Sequence, residues 1–276
     1  MTYGQAILLG IVQGFAEFLP ISSSGHLAVL QNFLAIGDME NHLLFDVLLH
    51  LGTLGAVLLA FWGDIRGLWN EGLRMVHLKK TRRGEKPDVL KRRTIWFLIA
   101  ATLWLIPAAL LNHVVESLYQ NTFFIGFAFL ATGVLLFAAD RMGHGNKNER
   151  GATLGDAIVV GIAQMVAVVP GLSRSGTTIS AGLLRGFERN FAVKFSFLLS
   201  IPAVIGANLV SLVKAFAAGV DWSSVPKYLV GVLAAFVAGY AAIYALRLVV
   251  QRGKFGGFAY YCWGAGLVTL VLSLAV

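Results

Sequence analysis

Two short stretches carry residue types that could do phosphate chemistry: QGFAEFLPISSSGH at 13–26 and PGLSRSGTTIS at 170–180. Each interrupts an apolar run with Pro, Gly and Ser, and in each a helix is predicted to begin just after the S-x-S-G run. Serines there can cap the helix, whose first-turn N–H groups have no intrahelical partner. Such ends attract anions, so Ser22, Ser24 and Gly25 in the first break, and Ser173, Ser175, Gly176 and Thr177 in the second, are candidates for cradling a phosphate or diphosphate. Small residues also let membrane helices pack closely, which explains the glycines but not Arg174. At bilayer depth an unpaired Arg costs at least roughly 2.5–3.5 kcal/mol, and its planar fork matches phosphate oxygens.

The first break holds groups that the second lacks. Glu17 stands where the second has Val168, and His26 where it has Thr177. A carboxylate, the Ser23 hydroxyl and an imidazole can do nucleophilic and acid–base work, while Arg174 supplies positive charge. His26 alone would read as a structural histidine; beside Glu17, Ser23 and Gly25 the functional reading is favoured. Gln13, one turn before Glu17 on the same face, is a candidate to orient a metal, or a structural residue, since Gln164 repeats it. Asp46 and His50 form an i, i+4 pair that either borders the cavity or makes an internal hydrogen bond. His42, His77, His113 and His144 fall in loops or at span edges. Cys262 lies in an apolar run and excludes a disulfide framework. No HExxH, Walker A or CxxC pattern is present.

What must position these groups is a membrane scaffold. Of 276 residues 57% are hydrophobic and only 13% charged, and the mean hydropathy is +0.75; a soluble domain carries about a quarter charged residues. Six apolar segments are long enough to span a bilayer, near 43–62, 95–111, 118–139, 191–216, 226–249 and 256–275. Two further stretches, 4–36 and 154–186, are broken in the middle and read as re-entrant hairpins, whose irregular backbone is tolerated only around a protected or watery cavity. The formal charge of +8 reflects topology rather than nucleic acid. Ten basic residues lie between Gly63 and Thr94, among them Lys80, Arg82 and Arg83, and alternate crossings put all Lys and Arg except Arg174, Lys214 and Lys227 on that side. Basic loops mark the cytoplasm, so both termini are expected to face outward.

Sliding the chain over itself by 151 residues aligns 2–25 with 153–176, with identities that include Gln13 and Gln164, Ser22 and Ser173, Ser24 and Ser175, Gly25 and Gly176. Three spans separate the copies, so the second should be inverted, with repeats near 2–139 and 153–276 of one membrane domain, 1–276. The expected fold is an all-α integral membrane protein of about six transmembrane helices plus two re-entrant helical hairpins related as an inverted repeat. In such folds broken elements meet near the midplane, and Ser23 and Arg174, equivalent positions, would face each other.

With both motifs in view, the chain resembles the bacitracin-resistance (BacA/UppP) family of undecaprenyl-diphosphatases over its full length. It matches the family's [E/Q]-x-x-x-E followed by P-x-S-S-x-G-H, and P-G-x-S-R-S-G. The resemblance implies an enzyme of the bacterial plasma membrane that hydrolyses undecaprenyl diphosphate to undecaprenyl phosphate and phosphate. That would recycle the lipid carrier of peptidoglycan synthesis and confer bacitracin resistance. By motif it implies Glu17, Ser23, His26 and Arg174 as catalytic residues and a divalent cation, Mg²⁺ or Ca²⁺, held by Glu17 with Gln13, water and the diphosphate. Gln13 stands where the pattern also admits Glu.

The polyprenyl diphosphate would enter from the outer face, with its tail among the spans. Ser23, His26 and an activated water all remain open as nucleophile. The rival reading is a transporter or flippase of polyprenyl phosphate lipid, because inverted repeats with broken helices suit alternating access; the asymmetric Glu17, Ser23, His26 set favours the enzyme. The acid-phosphatase-like lipid phosphatases share S-G-H but place a His shortly after S-R, and none follows Arg174. Preferred ion, tail length and assembly, including a homodimer, stay open.

Overall fold

The computed structural model describes residues 1–34, 39–79, 86–110, 112–218 and 222–275. Lys80, Arg82 and Arg83 lie outside the described residues, as do the side chains of His42, His113 and Lys214. The regular structure of the described residues is helical, α throughout except for one 3₁₀ turn, Trp222–Ser224, with one isolated bridge, Lys147 with Phe187.

The chain opens with two short helices folded back on each other, α1 (Tyr3–Phe18) and α2 (Ser23–Leu34). Residue 151 positions on, the pattern recurs as α9 (Leu154–Val166) and α10 (Arg174–Leu184). Local chemistry repeats with it: Thr2 closes a capping box with Gln5, and Thr153 closes one with Asp156. Neither α1, at 16 residues, nor α9, at 13, is long enough to cross a hydrocarbon layer.

Between and after the hairpins stand the long elements. Helix α3 (Met39–Ala60) turns at Phe61 into the amphipathic α4 (Trp62–Met75), bent from it by 84°. Helices α5 (Val89–Leu103) and α6 (Leu105–Leu110) make one apolar run with a break at Trp104, followed by the short α7 (Asn112–Tyr119). Helix α8 (Thr122–Met142) completes the first half; α11 (Arg189–Ala218), α12 (Val225–Gln251) and α13 (Gly257–Ala275) form the second. Among the described residues five helices, 89–110, 122–142, 189–213, 222–251 and 257–274, are long and apolar enough to span, and the count reaches six only if the bent pair α3–α4 is taken as one span.

Five of the six spans read from the sequence fall on the five spanning helices and the first, 43–62, falls on α3 of the bent pair, with two differences of physical origin. The span placed at 95–111 begins at Val89, because Asp88 caps it and the basic residues of its first turns find partners: Arg92 donates to Glu71 at 2.8 Å and Arg93 to the Ala152 carbonyl at 2.7 Å. The span placed at 118–139 begins at Thr122, because the Asn121 side chain caps Phe124 N–H and separates α7 from α8.

Glycine contacts set the closest packing. Helix α1 lies along α12, where a Cβ at Gly14 would sit 2.6 Å from the Ala235 carbonyl and 2.8 Å from Gly239 N. Helix α8 packs along α13, where a Cβ at Gly126 would meet Leu270. The largest apolar cluster gathers Phe18, Phe61 and Phe197, in edge-on contact at 5.4 and 5.7 Å. Leu229, Leu233, Val237, Tyr240 and Tyr244 of α12 stay exposed as one stripe, as on a lipid-facing helix.

Candidate active site

Each break is built by a residue in the left-handed region and by serine caps. In the first, Ser22 holds φ 70°, a conformation worth of order 1–3 kcal/mol in a non-glycine residue. Its surroundings fix it there: the Ser22 carbonyl accepts from His26 N–H at 3.2 Å and from His26 Nδ1 at 2.7 Å, and its Oγ accepts from Gly25 N–H at 3.3 Å. In the second, Gly171 has φ 89° and Ser173 caps α10, its Oγ accepting from Gly176 N–H at 3.1 Å. Ser22 pairs with Ser24 at 3.4 Å as Ser173 pairs with Ser175 at 3.2 Å. Thr132 of α8 ties the second break, donating to the Gly171 carbonyl and accepting from Ser173 N–H, both at 3.2 Å.

The two breaks touch. A Cβ on Gly25 would stand 3.0 Å from Gly171 Cα and 2.7 Å from the Phe129 ring. Ser175 Oγ donates to the Leu19 carbonyl at 3.2 Å, and Gly176 lies against Pro20. Cys262 is fully buried behind them, its thiol 3.5 Å from the Pro20 carbonyl, so it packs the core rather than facing lipid.

Glu17, at the last turn of α1, is where the functional side chains converge. Its Oε1 accepts from Arg174 Nη2 at 2.5 Å. Its Oε2 accepts from Ser23 Oγ at 2.7 Å and from Gln13 Nε2 at 3.0 Å, and lies 3.6 Å from His50 Nε2. The carboxylate is nearly buried, and the opposite charge of Arg174 compensates it. Arg174 also reaches toward the Ser200 carbonyl, at 3.4 Å. A tight seam with no room for a water molecule borders the pair, lined in part by Thr53, Leu54 and Val204. Chemically, Ser23 is poised to lose its proton to Glu17, beside a guanidinium able to hold a phosphoryl oxygen.

Glu17, Ser23, Arg174 and Gln13 are therefore in direct contact, while His26 makes its contacts elsewhere. Its Nε2 lies 2.8 Å from the Tyr261 hydroxyl on α13, and its ring meets the Phe129 edge. The other hydroxyls named from the sequence hold the breaks together, except Thr177 Oγ1, which is buried without a partner. His50 Nδ1 donates to the Asp46 carbonyl at 2.8 Å, whereas the Asp46 carboxylate accepts from Gln31, so the i, i+4 bond is to backbone and the free face of His50 meets Glu17. Ser24 hydrogen-bonds the Tyr119 side chain. His77 and His144 are exposed.

Thr132, Tyr119 and Tyr261 escaped the sequence reading because they lie outside both breaks. The Tyr260–Tyr261 pair resembles ordinary aromatic anchoring at a membrane surface. For a divalent cation, the described residues contain no group of three or more His, Cys, Asp or Glu that could hold one. What they offer beside Glu17 is Gln13 Oε1, a buried carbonyl oxygen without a hydrogen-bond partner.

Comparison with known proteins is consistent across the whole chain. The family model of bacitracin resistance protein BacA matches residues 6–268. An undecaprenyl-diphosphatase of Halothermothrix orenii is 37% identical over 273 residues, covering 98% of this chain and 97% of that protein. One of Methanobrevibacter smithii is 41% identical over 275 residues, with 98% and 97% covered. One of Alkaliphilus metalliredigens is 39% identical over 279 residues, with 99% and 100% covered. Full-length similarity of this degree, on a chain whose two motifs meet at one carboxylate, shows that the protein belongs to the BacA/UppP family of undecaprenyl-diphosphatases.

Proposed function

We propose that this chain hydrolyses undecaprenyl diphosphate to undecaprenyl phosphate and inorganic phosphate, recycling the lipid carrier for peptidoglycan synthesis and so conferring bacitracin resistance. The observation that carries the reading is Glu17 bridging Ser23 and Arg174 across the two breaks. The diphosphate replaces Glu17 as the partner of Arg174, its charge met there and by the N-termini of α2 and α10. Ser23 Oγ attacks the terminal phosphorus as Glu17 takes its proton; the bond to the bridging oxygen breaks and undecaprenyl phosphate leaves. Glu17 passes that proton to the departing undecaprenyl phosphate and, ionised again, takes one from a water that attacks the phosphoserine; the Ser23 oxygen leaves, recovers its proton from Glu17, and phosphate is released.

Mg²⁺ or Ca²⁺ would be held by Glu17, with Gln13 Oε1 within the same cluster, and by phosphate oxygens, and would supply charge neutralisation. Ser22, Ser24, Gly25, Ser173, Ser175, Gly176 and Thr177 line the binding region in this reading. The duplicated caps and breaks support an inverted repeat, and the basic rim supports termini and site opening on the outer face of the plasma membrane.

The test is phosphate release by the purified protein in detergent on undecaprenyl or farnesyl diphosphate with Mg²⁺ or Ca²⁺. Wild type should turn over, and Arg174→Ala, Ser23→Ala and Glu17→Ala should lose nearly all activity. Detergent leaves no two sides, so a pure transporter would release nothing; a folded wild type without phosphate release would overturn the proposal.

A further inference from the structure

His26 is held by a residue that neither motif contains. A carbonyl oxygen only accepts, so the 2.7 Å contact with the Ser22 carbonyl puts a hydrogen on Nδ1. In the neutral ring Nε2 is then a bare acceptor, and the group that meets it, at 2.8 Å, is the Tyr261 hydroxyl from α13. The two rings lie nearly parallel, 16° apart with centroids 5.7 Å apart, and Phe129 of α8 packs edge-on against the imidazole at 4.9 Å. The ring therefore has little freedom to flip. The Nδ1 bond also ends on Ser22, the strained residue at the start of the helix that carries Ser23. Any change in the imidazole is passed to the turn that aims the Ser23 hydroxyl.

We propose that Tyr261 is a positioning residue of this site: its hydroxyl holds His26 with Nδ1–H on the Ser22 carbonyl, and leaves Nε2 as the one ring nitrogen that can gain or release a proton. The inference rests on the phosphatase reading for its catalytic consequence but not for the pairing itself. Tyr261 lies 235 residues from His26 in sequence, and its ring is about half exposed. Losing the hydroxyl alone leaves the ring packing in place, so Tyr261→Phe separates the hydrogen bond from bulk.

The experiment uses full-length protein in detergent with ¹⁵N-labelled histidine, the His26 resonances being identified by their loss in His26→Asn. Wild type should show Nε2 as a hydrogen-bonded acceptor in a single Nδ1–H tautomer, and Tyr261→Phe should move that resonance and admit the second tautomer. In phosphate release, Tyr261→Phe should lower kcat about tenfold, the low end for losing a partner that orients a functional imidazole, with KM little changed. In the His26→Asn background the same substitution should cost nothing further. An unmoved resonance, or an equal loss in the His26→Asn background, would overturn the proposal. A resonance that moves in a protein releasing no phosphate would keep the pairing and reject the reaction.

Discussion

Glu17 is a buried carboxylate with a full set of partners, and the consequence of removing any one depends on what is left behind. Arg174→Ala strands the charge: breaking a buried pair from one side costs about 3–5 kcal/mol, because the remaining ion is neither hydrated nor compensated. The expected result is a large drop in the thermal midpoint of the detergent-solubilised protein together with loss of activity. Adding Glu17→Gln removes the stranded charge, and the amide can still accept from Ser23. The double variant should therefore recover most of the lost stability while staying inactive. A double variant no more stable than Arg174→Ala would show that the pair is not what holds the breaks together. These partners were legible in the sequence, because an Arg and a Glu beside Pro, Gly and Ser breaks have no bland explanation in a bilayer. His50 was only half legible: its spacing from Asp46 was visible, but its approach to Glu17 depends on how α3 lies beside α1.

At the scale of elements, placement of Glu17 depends on α1 lying directly on α12. Gly10 and Gly14 face Gly231, Ala235 and Gly239 with nothing larger than the Ala234 and Ala238 methyls against them, the small-xxx-small arrangement of membrane helices. Gly14 is three residues before Glu17 on the same helix. An added methyl at 14 must push α1 from α12, and overpacking of this kind costs about 1–3 kcal/mol. Gly14→Ala is expected to lower both thermal stability and phosphate release. Gly206→Ala in α11, where a Cβ meets nothing within 4 Å, should leave both unchanged. Equal behaviour of the two would mean that the α1–α12 contact does not position Glu17. Hydropathy alone revealed the long helices, since each apolar run is bounded by caps, glycines or charge. It did not reveal α4: the stretch from Gly63 to Thr94 reads as a basic loop by its charge, although exposed Trp62 and Trp69 flanking Arg66 give the spacing of a helix lying along the membrane surface. The 84° turn at Phe61 has no Pro or Gly at its pivot, and is set instead by Phe61 burying itself against Phe197, with Arg247 4.2 Å above its ring.

For the whole molecule, the remaining question is which end faces the cytoplasm, and the architecture makes it decidable. In the proposed inverted-repeat topology a hairpin such as α1–α2 leaves and returns at one end, so parity along the chain is set by the long helices alone. The α4–α5, α8–α9, α10–α11 and α12–α13 connections then share one end, and there the charges gather. Asp156, fully buried, accepts from Lys147 and Arg185; Asp140 pairs with Arg189 at 2.7 Å, and Lys194 with Asp64 at 2.7 Å. Lys79, Lys86, Arg141, Arg252 and Lys254 remain exposed at that end. Basic loops are retained in the cytoplasm, so this end should be inside and the α7–α8 connection outside. The single native thiol, Cys262, is buried and should be silent. A cysteine placed at Gln120, which is exposed, should react with an impermeant maleimide on intact cells. One at Lys79 or Lys254 should react only after the membrane is opened. The reverse pattern would turn the protein over, and the diphosphate would then have to reach the Glu17–Arg174 site from the cytoplasmic face.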